Sequence, residues 1–468
     1  QTIRERPLTS GETPAEIRDR LGRGSLPEAG TPPAALLPET TRLLFEHSLF
    51  NCHPRFMGYI TSSAAPVGAL ADFLAATVNP NVGGWELSPM ASEIEAQTIR
   101  WIAELVGYPA TCGGLLVSGG NMANFVCFLA GRRAVLGEDI RATGLTAAGG
   151  RLRVYASAGT HTWIQKACDL FGLGTDAIRW IPTDPEQRMR TDALRARIVD
   201  DLSRGDRPML VVGTAGTVST GAVDPIRELS EICRTHKLWL HVDGAYGAPA
   251  AILPEAPADL HALALADSLA IDPHKWLYSP LEAGCVLVRE PGHLGEAFGY
   301  TPEYYRFEIG GEEPPINYYE LGLQNSRGFR ALKVWLGLRQ AGREGYRRMI
   351  GDDCRLAAAL HAHVGSHAEL EPATLGLSIS TFRYVPRDLR TAGPKAEEYL
   401  NTLNETLLAR LKLGGEVFVT NAVLDGRFLL RACIVNFRTT DADVAAIPEL
   451  VARVGRTVDA ELRPRRND

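Results

Sequence analysis

The middle of the chain alternates short apolar runs with stretches in which apolar residues recur at helical spacing. One such helical stretch follows Asp224. The uninterrupted apolar runs are rich in β-branched residues and lie at 209–212, 238–242, 268–271 and 285–288. Uninterrupted apolar strands that alternate with helices are typical of a parallel sheet covered on both faces. The pattern therefore predicts an α/β domain, and such domains bind ligands at the carboxyl ends of their strands.

The C-terminal portion follows a different pattern. Residues 378–384 alternate between polar and apolar positions with period two, and Asp425-Gly426 is a typical hairpin turn between predicted strands at 416–420 and 427–436. Predicted helices accompany these strands at 396–412 and 448–461. We therefore expect a small α+β domain with an antiparallel sheet.

The start of the chain predicts a helical segment. Thr13 is a good N-cap residue and Pro14 suits the first helical position. We therefore expect three parts: an N-terminal helical segment at 1–60, a large α/β domain at 61–330 and a small C-terminal α+β domain at 331–468.

The composition disfavours several classes of protein. The net charge of −6 disfavours nucleic acid as the main partner, because an acidic surface repels phosphates. No apolar run reaches about 18 residues, so we expect no membrane span, and the first residues lack the apolar core of a signal peptide. The eight cysteines never stand at C-x-x-C spacing, which argues against a zinc knuckle or a disulfide scaffold. We therefore expect a reduced, cytoplasmic protein.

Two local patterns match ligand motifs but have simpler explanations. Gly172, Gly174 and Ala177 match the dinucleotide pattern, but a helix rather than the required strand is predicted before them. We interpret the two glycines as a helix cap. His363 and His367 stand four residues apart without an H-E-x-x-H motif, and we interpret them as a solvated helix face. The sequence therefore predicts no metal site.

Three polar stretches near predicted strands carry candidate chemistry. Residues 118–121 open a helix, where backbone amides and the helix dipole favour a phosphate group. Asp243 ends an apolar strand, where it either caps the next helix or pairs with a cation. Lys275 lies between an apolar strand and Trp276, and it either reaches the surface or is a desolvated amine that attacks aldehydes. Together, a phosphate seat, a carboxylate and an amine are what pyridoxal 5'-phosphate requires.

These stretches resemble the pyridoxal-phosphate-dependent group II amino-acid decarboxylases, the family of aromatic L-amino-acid, histidine (eukaryotic type) and glutamate decarboxylases. The matching motifs, in the family's order, are HPRFMGY at 53–59, SPMASEIE at 88–95, SGGNMAN at 118–124, HVDGAYG at 241–247 and DPHKW at 272–276. The resemblance implies a fold-type I enzyme, a carboxy-lyase that converts an L-amino acid to its amine and CO₂. It also implies a homodimer with the active site at the subunit interface.

The resemblance also implies residue roles. Lys275 forms a Schiff base with the cofactor, Asp243 pairs with the pyridine nitrogen, and His161 stacks on the ring and touches the substrate carboxylate. The remaining implied cofactor contacts are Gly119, Gly120 and Asn121 at the phosphate, His274 beside it, Ala245 beneath the ring and Thr217 in the same cavity.

A mobile loop in this family carries a tyrosine that protonates the product carbanion. Tyr304 stands at the matching position, 29 residues after Lys275. Its neighbour Tyr305 leaves the assignment open between the two. Residues 291–315 are rich in Gly, Pro and Glu, as expected of a mobile lid.

The substrate is less well defined by the sequence. Phe56, Tyr59 and Trp85 are candidates for an apolar slot, which favours an aromatic amino acid. Asn51 and Ile60-Thr61 depart from the aromatic branch of the family, so the shape of the pocket stays open.

Three alternatives remain open. The first is a decarboxylase of glutamate or another acidic amino acid, for which Arg55 is an available cation. The second is an oxidative aldehyde synthase, which the presence of both His161 and Tyr304 disfavours. The third is a binding protein without catalysis, which the presence of Lys275 disfavours.

Overall fold

A computed structural model describes residues 3–300, 315–391 and 393–463. The chain forms two compact units. The large unit is Ala64–Asp352, and the split unit combines Gln1–Ser63 with Asp353–Asp468. The three-part division predicted at residues 60 and 330 stays a prediction, because compact units are defined by contacts rather than by independent folding.

Helices are found in both units. The α-helices in the described residues are α1 Pro14–Leu21, α2 Pro33–His47, α3 Pro66–Val78, α4 Pro89–Leu105, α5 Gly120–Leu136, α6 Asp139–Thr143, α7 Trp163–Leu170, α8 Thr191–Ser203, α9 Ile226–His236, α10 Gly292–Phe298, α11 Ala331–Ser366, α12 Glu397–Gly414 and α13 Asp441–Leu462. Thr13 caps α1 through a capping box with Glu16, which confirms the predicted helix start. In α11 the helical backbone is interrupted at Gly342, where φ is 61°.

The large unit contains a seven-stranded sheet. Its strands are β1 Gly113–Val117, β2 Leu152–Ser157, β3 Ile178–Ile181, β4 Arg207–Thr214, β5 Trp239–Asp243, β6 Ser268–Ile271 and β7 Gly284–Val288. They lie in the order β1-β7-β6-β5-β4-β2-β3, and β7 runs in the opposite direction to the other six strands. Strands β5, β6 and β7 are buried along their whole length. The predicted α/β class with a mostly parallel sheet is therefore confirmed.

The split unit contains a four-stranded antiparallel sheet. Its strands are β8 Leu370–Gly376, β9 Ile379–Tyr384, β10 Thr420–Leu424 and β11 Arg427–Cys433, in the order β10-β11-β9-β8. Asp425 and Gly426 connect β10 to β11 with φ angles of 51° and 76°. Two consecutive left-handed residues are typical of a tight hairpin turn, which confirms that prediction.

Two predicted elements of the split unit are wrong in their bounds. The strand predicted at 416–420 begins only at Thr420, because the residues before it bond elsewhere. Phe418 accepts a hydrogen bond from the backbone of Met57 at 2.8 Å and donates one to the carbonyl of Arg55 at 3.1 Å. The predicted strand at 427–436 also ends earlier, at Cys433.

The helix predicted at 448–461 begins seven residues earlier than expected, at Asp441. Thr440 and Asp443 form a capping box that marks the true start, and Pro448 lies inside the helix. The sequence predicts a helix start at Pro448, because proline lacks the amide hydrogen that a helix interior uses. In the described part of the chain, no helix is long and apolar enough to cross a membrane.

Candidate active site

Asp243 is fixed at the carboxyl end of β5. Only 6% of the surface of this residue is accessible to solvent. One carboxylate oxygen accepts a hydrogen bond from the Trp163 indole at 2.8 Å, and the other accepts one from the Ala245 amide at 3.1 Å. The side chain therefore caps the following turn, and its pairing with a cation stays a prediction.

A chain of buried polar groups supports β5 beside this carboxylate. His241 is fully buried, and its two ring nitrogens lie 2.7 Å from Asn124 Oδ1 and 2.9 Å from Ser268 Oγ. The Trp239 indole donates to the same Ser268 hydroxyl at 2.8 Å. Burial lowers the pKa of His241 to about 4, although Asp243 opposes the shift. The imidazole is therefore neutral near pH 7.

His241 gives the folded chain a defined sensitivity to acid. Its pKa of about 4 lies below the ordinary value of about 6.5, so between these pH values the unfolded chain binds a proton that the folded chain does not. Stability therefore falls as the pH drops through this window. When the pH falls from 7 to 5, we expect the free energy of unfolding of the wild-type protein to decrease by about 2 kcal/mol more than that of H241Q. Urea unfolding at the two pH values measures the difference. Equal losses in both proteins would contradict the prediction.

The turn that carries Lys275 is tied to the turn after β5. The Asp272 amide donates to the Ala245 carbonyl at 3.2 Å, and the rings of Tyr246 and Trp276 stack with centroids 4.8 Å apart. The Lys275 ammonium lies 3.0 Å from Asp272 Oδ2, and its side chain is 21% exposed. The lysine is therefore held by a buried carboxylate rather than extended into solvent.

The predicted phosphate seat lies at the start of α5. Gly119 adopts a φ of 91° and Gly120 is the first helical residue. A Cβ on Gly120 would lie 2.6 Å from Asp272 Oδ2, and one on Gly284 would lie 2.6 Å from the Gly119 carbonyl. Only glycine permits this packing, which brings the amino end of α5 beside the Lys275 turn. Asn121 is the second residue of the helix.

His161 is electrostatically coupled to these groups. Desolvation lowers its pKa, Asp243 and Asp272 oppose the shift and Lys275 adds to it. The residue itself remains exposed to solvent. Thr217 is buried. Its methyl group packs closely against Gly159, since a Cβ added to that glycine would lie 3.1 Å from it. Gly159 precedes His161 by two residues, so Thr217 lies beside the loop that carries the histidine. His274 lies 3.8 Å from Asp272.

The residues present fit pyridoxal phosphate. An amine, a held carboxylate and a helix amino terminus lie within one unit. Among the residues that the structure describes, several buried polar atoms near the strand ends lack hydrogen-bond partners, as expected where a ligand supplies them. They are Ser157 Oγ, Thr160 Oγ1, Thr214 Oγ1 and Asp272 Oδ1.

The three proposed substrate contacts differ in their surroundings. Trp85, in the large unit, donates its indole hydrogen to Glu93 at 2.8 Å. In the split unit, Phe56 is buried and stacks on Phe418 with centroids 5.2 Å apart, and Tyr59 is 57% exposed. Their roles stay predictions. Tyr304 and Tyr305 fall outside the described residues.

Several residues that build this site are not predictable from motifs alone. Asp272 precedes Lys275 by three residues, and that spacing of opposite charges was an available signal. Asn124 lies inside the quoted SGGNMAN motif. Trp163, the partner of Asp243, comes from a distant helix and gave no local signal.

A buried ion pair positions the strand that leads to the glycine turn. Glu95 and Arg327 form this pair. Glu95 also accepts a hydrogen bond from the Leu116 amide at 2.8 Å, and Arg327 donates to the Val82 carbonyl at 2.8 Å. The pair therefore joins β1 to the loop that leads to Trp85.

Comparison with known proteins agrees with this geometry. The model of the pyridoxal-dependent decarboxylase conserved domain matches residues 19–384. An aromatic-L-amino-acid decarboxylase of Bacillus atrophaeus is 34% identical over 448 residues, which cover 95% of this chain and 90% of the relative. A phenylacetaldehyde synthase of a Rosa hybrid cultivar is 29% identical over 81% of this chain and 76% of its own.

A solved structure extends the likeness to the whole fold. The crystal structure of Oryza sativa TDC with PLP and tryptamine superposes with a TM-score of 0.88 and 27% identity, covering 97% of this chain and 94% of that one. The family model alone spans most of the chain. The chain therefore belongs to the pyridoxal-dependent decarboxylase family and is an enzyme of that class, a lyase that uses pyridoxal phosphate.

Proposed function

We propose that this enzyme removes the α-carboxylate of an aromatic L-amino acid as CO₂ and releases the amine, with Lys275 as the residue that binds the cofactor covalently. The observation that carries the proposal is that Asp243 ends β5 and the Lys275 turn follows the paired strand β6, so both side chains lie at the carboxyl ends of neighbouring strands in one unit. When bound, pyridoxal phosphate supplies an aldehyde and an electron-withdrawing ring. The chain supplies the groups that hold it and direct the reaction.

Asp243 keeps a proton on the ring nitrogen. Its carboxylate is held by Trp163 and the Ala245 amide, so its negative charge does not need to reorganise during the reaction. Ala245, two residues further along the chain, would offer the ring a small apolar surface. Gly119, Gly120 and Asn121 bind the phosphate at the amino end of α5, with His274 and Thr217 beside them.

His161 orients the carboxylate that leaves. Because desolvation lowers its pKa, the imidazole is neutral near pH 7 and offers the carboxylate little charge compensation. A poorly compensated carboxylate departs more readily, as part of a desolvation effect. Tyr304 then donates a proton to the α-carbon, and Tyr305 is the alternative donor.

The aromatic preference is supported by the relative from Bacillus atrophaeus, whose name states that activity. We keep Phe56, Tyr59 and Trp85 as the proposed substrate contacts. A panel of L-amino acids scored for CO₂ release tests the preference, with glutamate as the comparison substrate. We expect tryptophan, tyrosine or phenylalanine to give the highest kcat/KM. A higher value for glutamate would overturn the aromatic assignment.

A second candidate activity is oxidative conversion to an aldehyde, which is favoured by the likeness to a phenylacetaldehyde synthase. The two activities differ in their products. We expect one amine for each CO₂, with no hydrogen peroxide and no oxygen uptake. Aldehyde as the main product would support the second activity instead.

A cytoplasmic location stays a prediction from the scattered cysteines.

A homodimer with the active site at its interface is part of the proposal. Helix α3 of the large unit exposes a row of apolar side chains, and exposed patches of this kind mark interaction surfaces. The row is Leu70, Phe73, Leu74 and Val78. Leu74 and Val78 also line an apolar groove of about 570 Å³. The second copy of the chain is the proposed occupant.

Charge on α3 is expected to break the dimer. In F73E a carboxylate replaces an apolar contact, and burying it without a partner is unfavourable. We expect the wild-type protein to have the mass of two chains by light scattering and F73E that of one. L170E is the control, because Leu170 is similarly exposed on α7. A monomeric wild-type protein would contradict the proposal.

A further inference from the structure

Asp272 is a buried carboxylate to which the proposed reaction gives no role. The residue is 1% exposed. Its Oδ2 lies 3.0 Å from the Lys275 ammonium and 3.8 Å from His274 Nε2. Its Oδ1 has no hydrogen-bond partner within the described ranges. A buried charge needs compensation, and the Lys275 ammonium supplies it at contact distance.

The carboxylate also lies at the amino end of α5. A Cβ on Gly120 would stand 2.6 Å from Asp272 Oδ2, so the first residue of this 17-residue helix packs directly against the carboxylate. The partial positive charge of a helix amino terminus stabilises an anion there. The seat proposed for the cofactor phosphate therefore borders an anion that belongs to the chain itself.

We propose that Asp272 is a positioning residue that holds the Lys275 ammonium at the start of α5 in the cofactor-free protein and thereby slows cofactor attachment. This inference rests on the proposed role of Lys275. Two effects act in the same direction. The carboxylate stabilises the protonated amine, which is not a nucleophile, and it repels the incoming phosphate.

The attachment step shows why the protonated amine matters. The Lys275 nitrogen forms a bond to the aldehyde carbon of the cofactor, and the aldehyde oxygen leaves as water. Two of the three ammonium protons leave in that water and the third passes to solvent. Attack requires the neutral amine, so any group that favours the ammonium lowers the rate.

Replacement of Asp272 by asparagine tests the inference, because it removes the charge and keeps the shape. Cofactor-free D272N is mixed with pyridoxal phosphate at pH 7 and attachment is followed by visible absorbance. We expect attachment to be about tenfold faster than in the wild-type protein. Lowering the pKa of an amine by one unit raises its neutral fraction about tenfold near pH 7. D201N is the matched control, because Asp201 is a buried, ion-paired carboxylate of the same unit. We expect the wild-type rate in D201N.

A second measurement needs no cofactor. Cofactor-free proteins are treated with acetaldehyde and cyanoborohydride, and alkylation of Lys275 is timed by mass spectrometry of the peptide that contains it. We expect D272N to be labelled several-fold faster. An equal or slower labelling rate in D272N overturns the inference, as does an unchanged rate of cofactor attachment.

The two measurements separate this inference from the proposed function. If borohydride fixes the cofactor on a lysine other than Lys275, the proposed function fails. Acetaldehyde labelling still reports whether Asp272 restrains the Lys275 amine. If the cofactor is fixed on Lys275 in both proteins at equal rates, the proposed function stands and the inference about Asp272 is wrong.

Discussion

Replacing Lys275 by alanine is expected to abolish both decarboxylation and the yellow colour of the purified protein. Without the amine no covalent bond to the aldehyde forms, and removal of a covalent catalyst lowers kcat by roughly 10⁴-fold or more. CO₂ release and visible absorbance measure the two losses. In the wild-type protein, borohydride should bleach the colour and leave the cofactor on the peptide that contains Lys275.

The variant K275R separates the charge of this residue from its nucleophilicity. Arginine can pair with Asp272 as the lysine does, but it does not form a bond with the aldehyde. We expect K275R to remain folded and stay as inactive as K275A. Retained colour that borohydride bleaches in either variant would show that another amine binds the cofactor.

Replacing Asp243 by asparagine is expected to lower kcat by about 10²–10³-fold, as removal of one fixed electrostatic group typically does. The asparagine oxygen can still accept the hydrogen bond from Trp163, so the main loss is the negative charge. Without that charge the ring nitrogen loses its proton and the ring withdraws electrons poorly. Steady-state kinetics with the preferred amino acid measure the change.

The variant W163F is the comparison for D243N. It removes the hydrogen bond to Asp243 and keeps the charge, and a hydrogen bond to a charged group contributes about 1.5–3 kcal/mol. We expect W163F to lose less activity than D243N. A kcat in D243N within threefold of the wild-type value would rule out the proposed role of the carboxylate.

The placement of Asp243 and Lys275 at the strand ends could be predicted because both residues follow the strands on which they depend. Asp243 ends an apolar run and Lys275 follows another, so the sheet alone brings them to one edge. The direction of β7 could not be predicted in this way. A buried strand has the same apolar pattern whether it runs parallel or antiparallel to its neighbours.

The errors in the split unit have a common cause. Residues 416–419 have the composition of a strand, but Phe418 bonds to residues 55–57, which are distant in the sequence. Pro448 is tolerated inside α13, where it is buried. The pattern of residues within a short segment does not reveal hydrogen-bond or packing partners that lie far away in the sequence. The indole that holds Asp243 was missed for the same reason.

The split unit also has a consequence for biosynthesis. Met57 and Tyr59 bond to Phe418 and Arg431, so the first part of this unit lacks those partners until the last part has been made. The ribosome must first translate all of Ala64–Asp352, which takes roughly 15–60 s at ordinary elongation rates. During that interval the apolar side chains of Phe56 and Met57 lack their final burial. We therefore expect the nascent amino-terminal segment to expose apolar surface until the last part of the chain has been made.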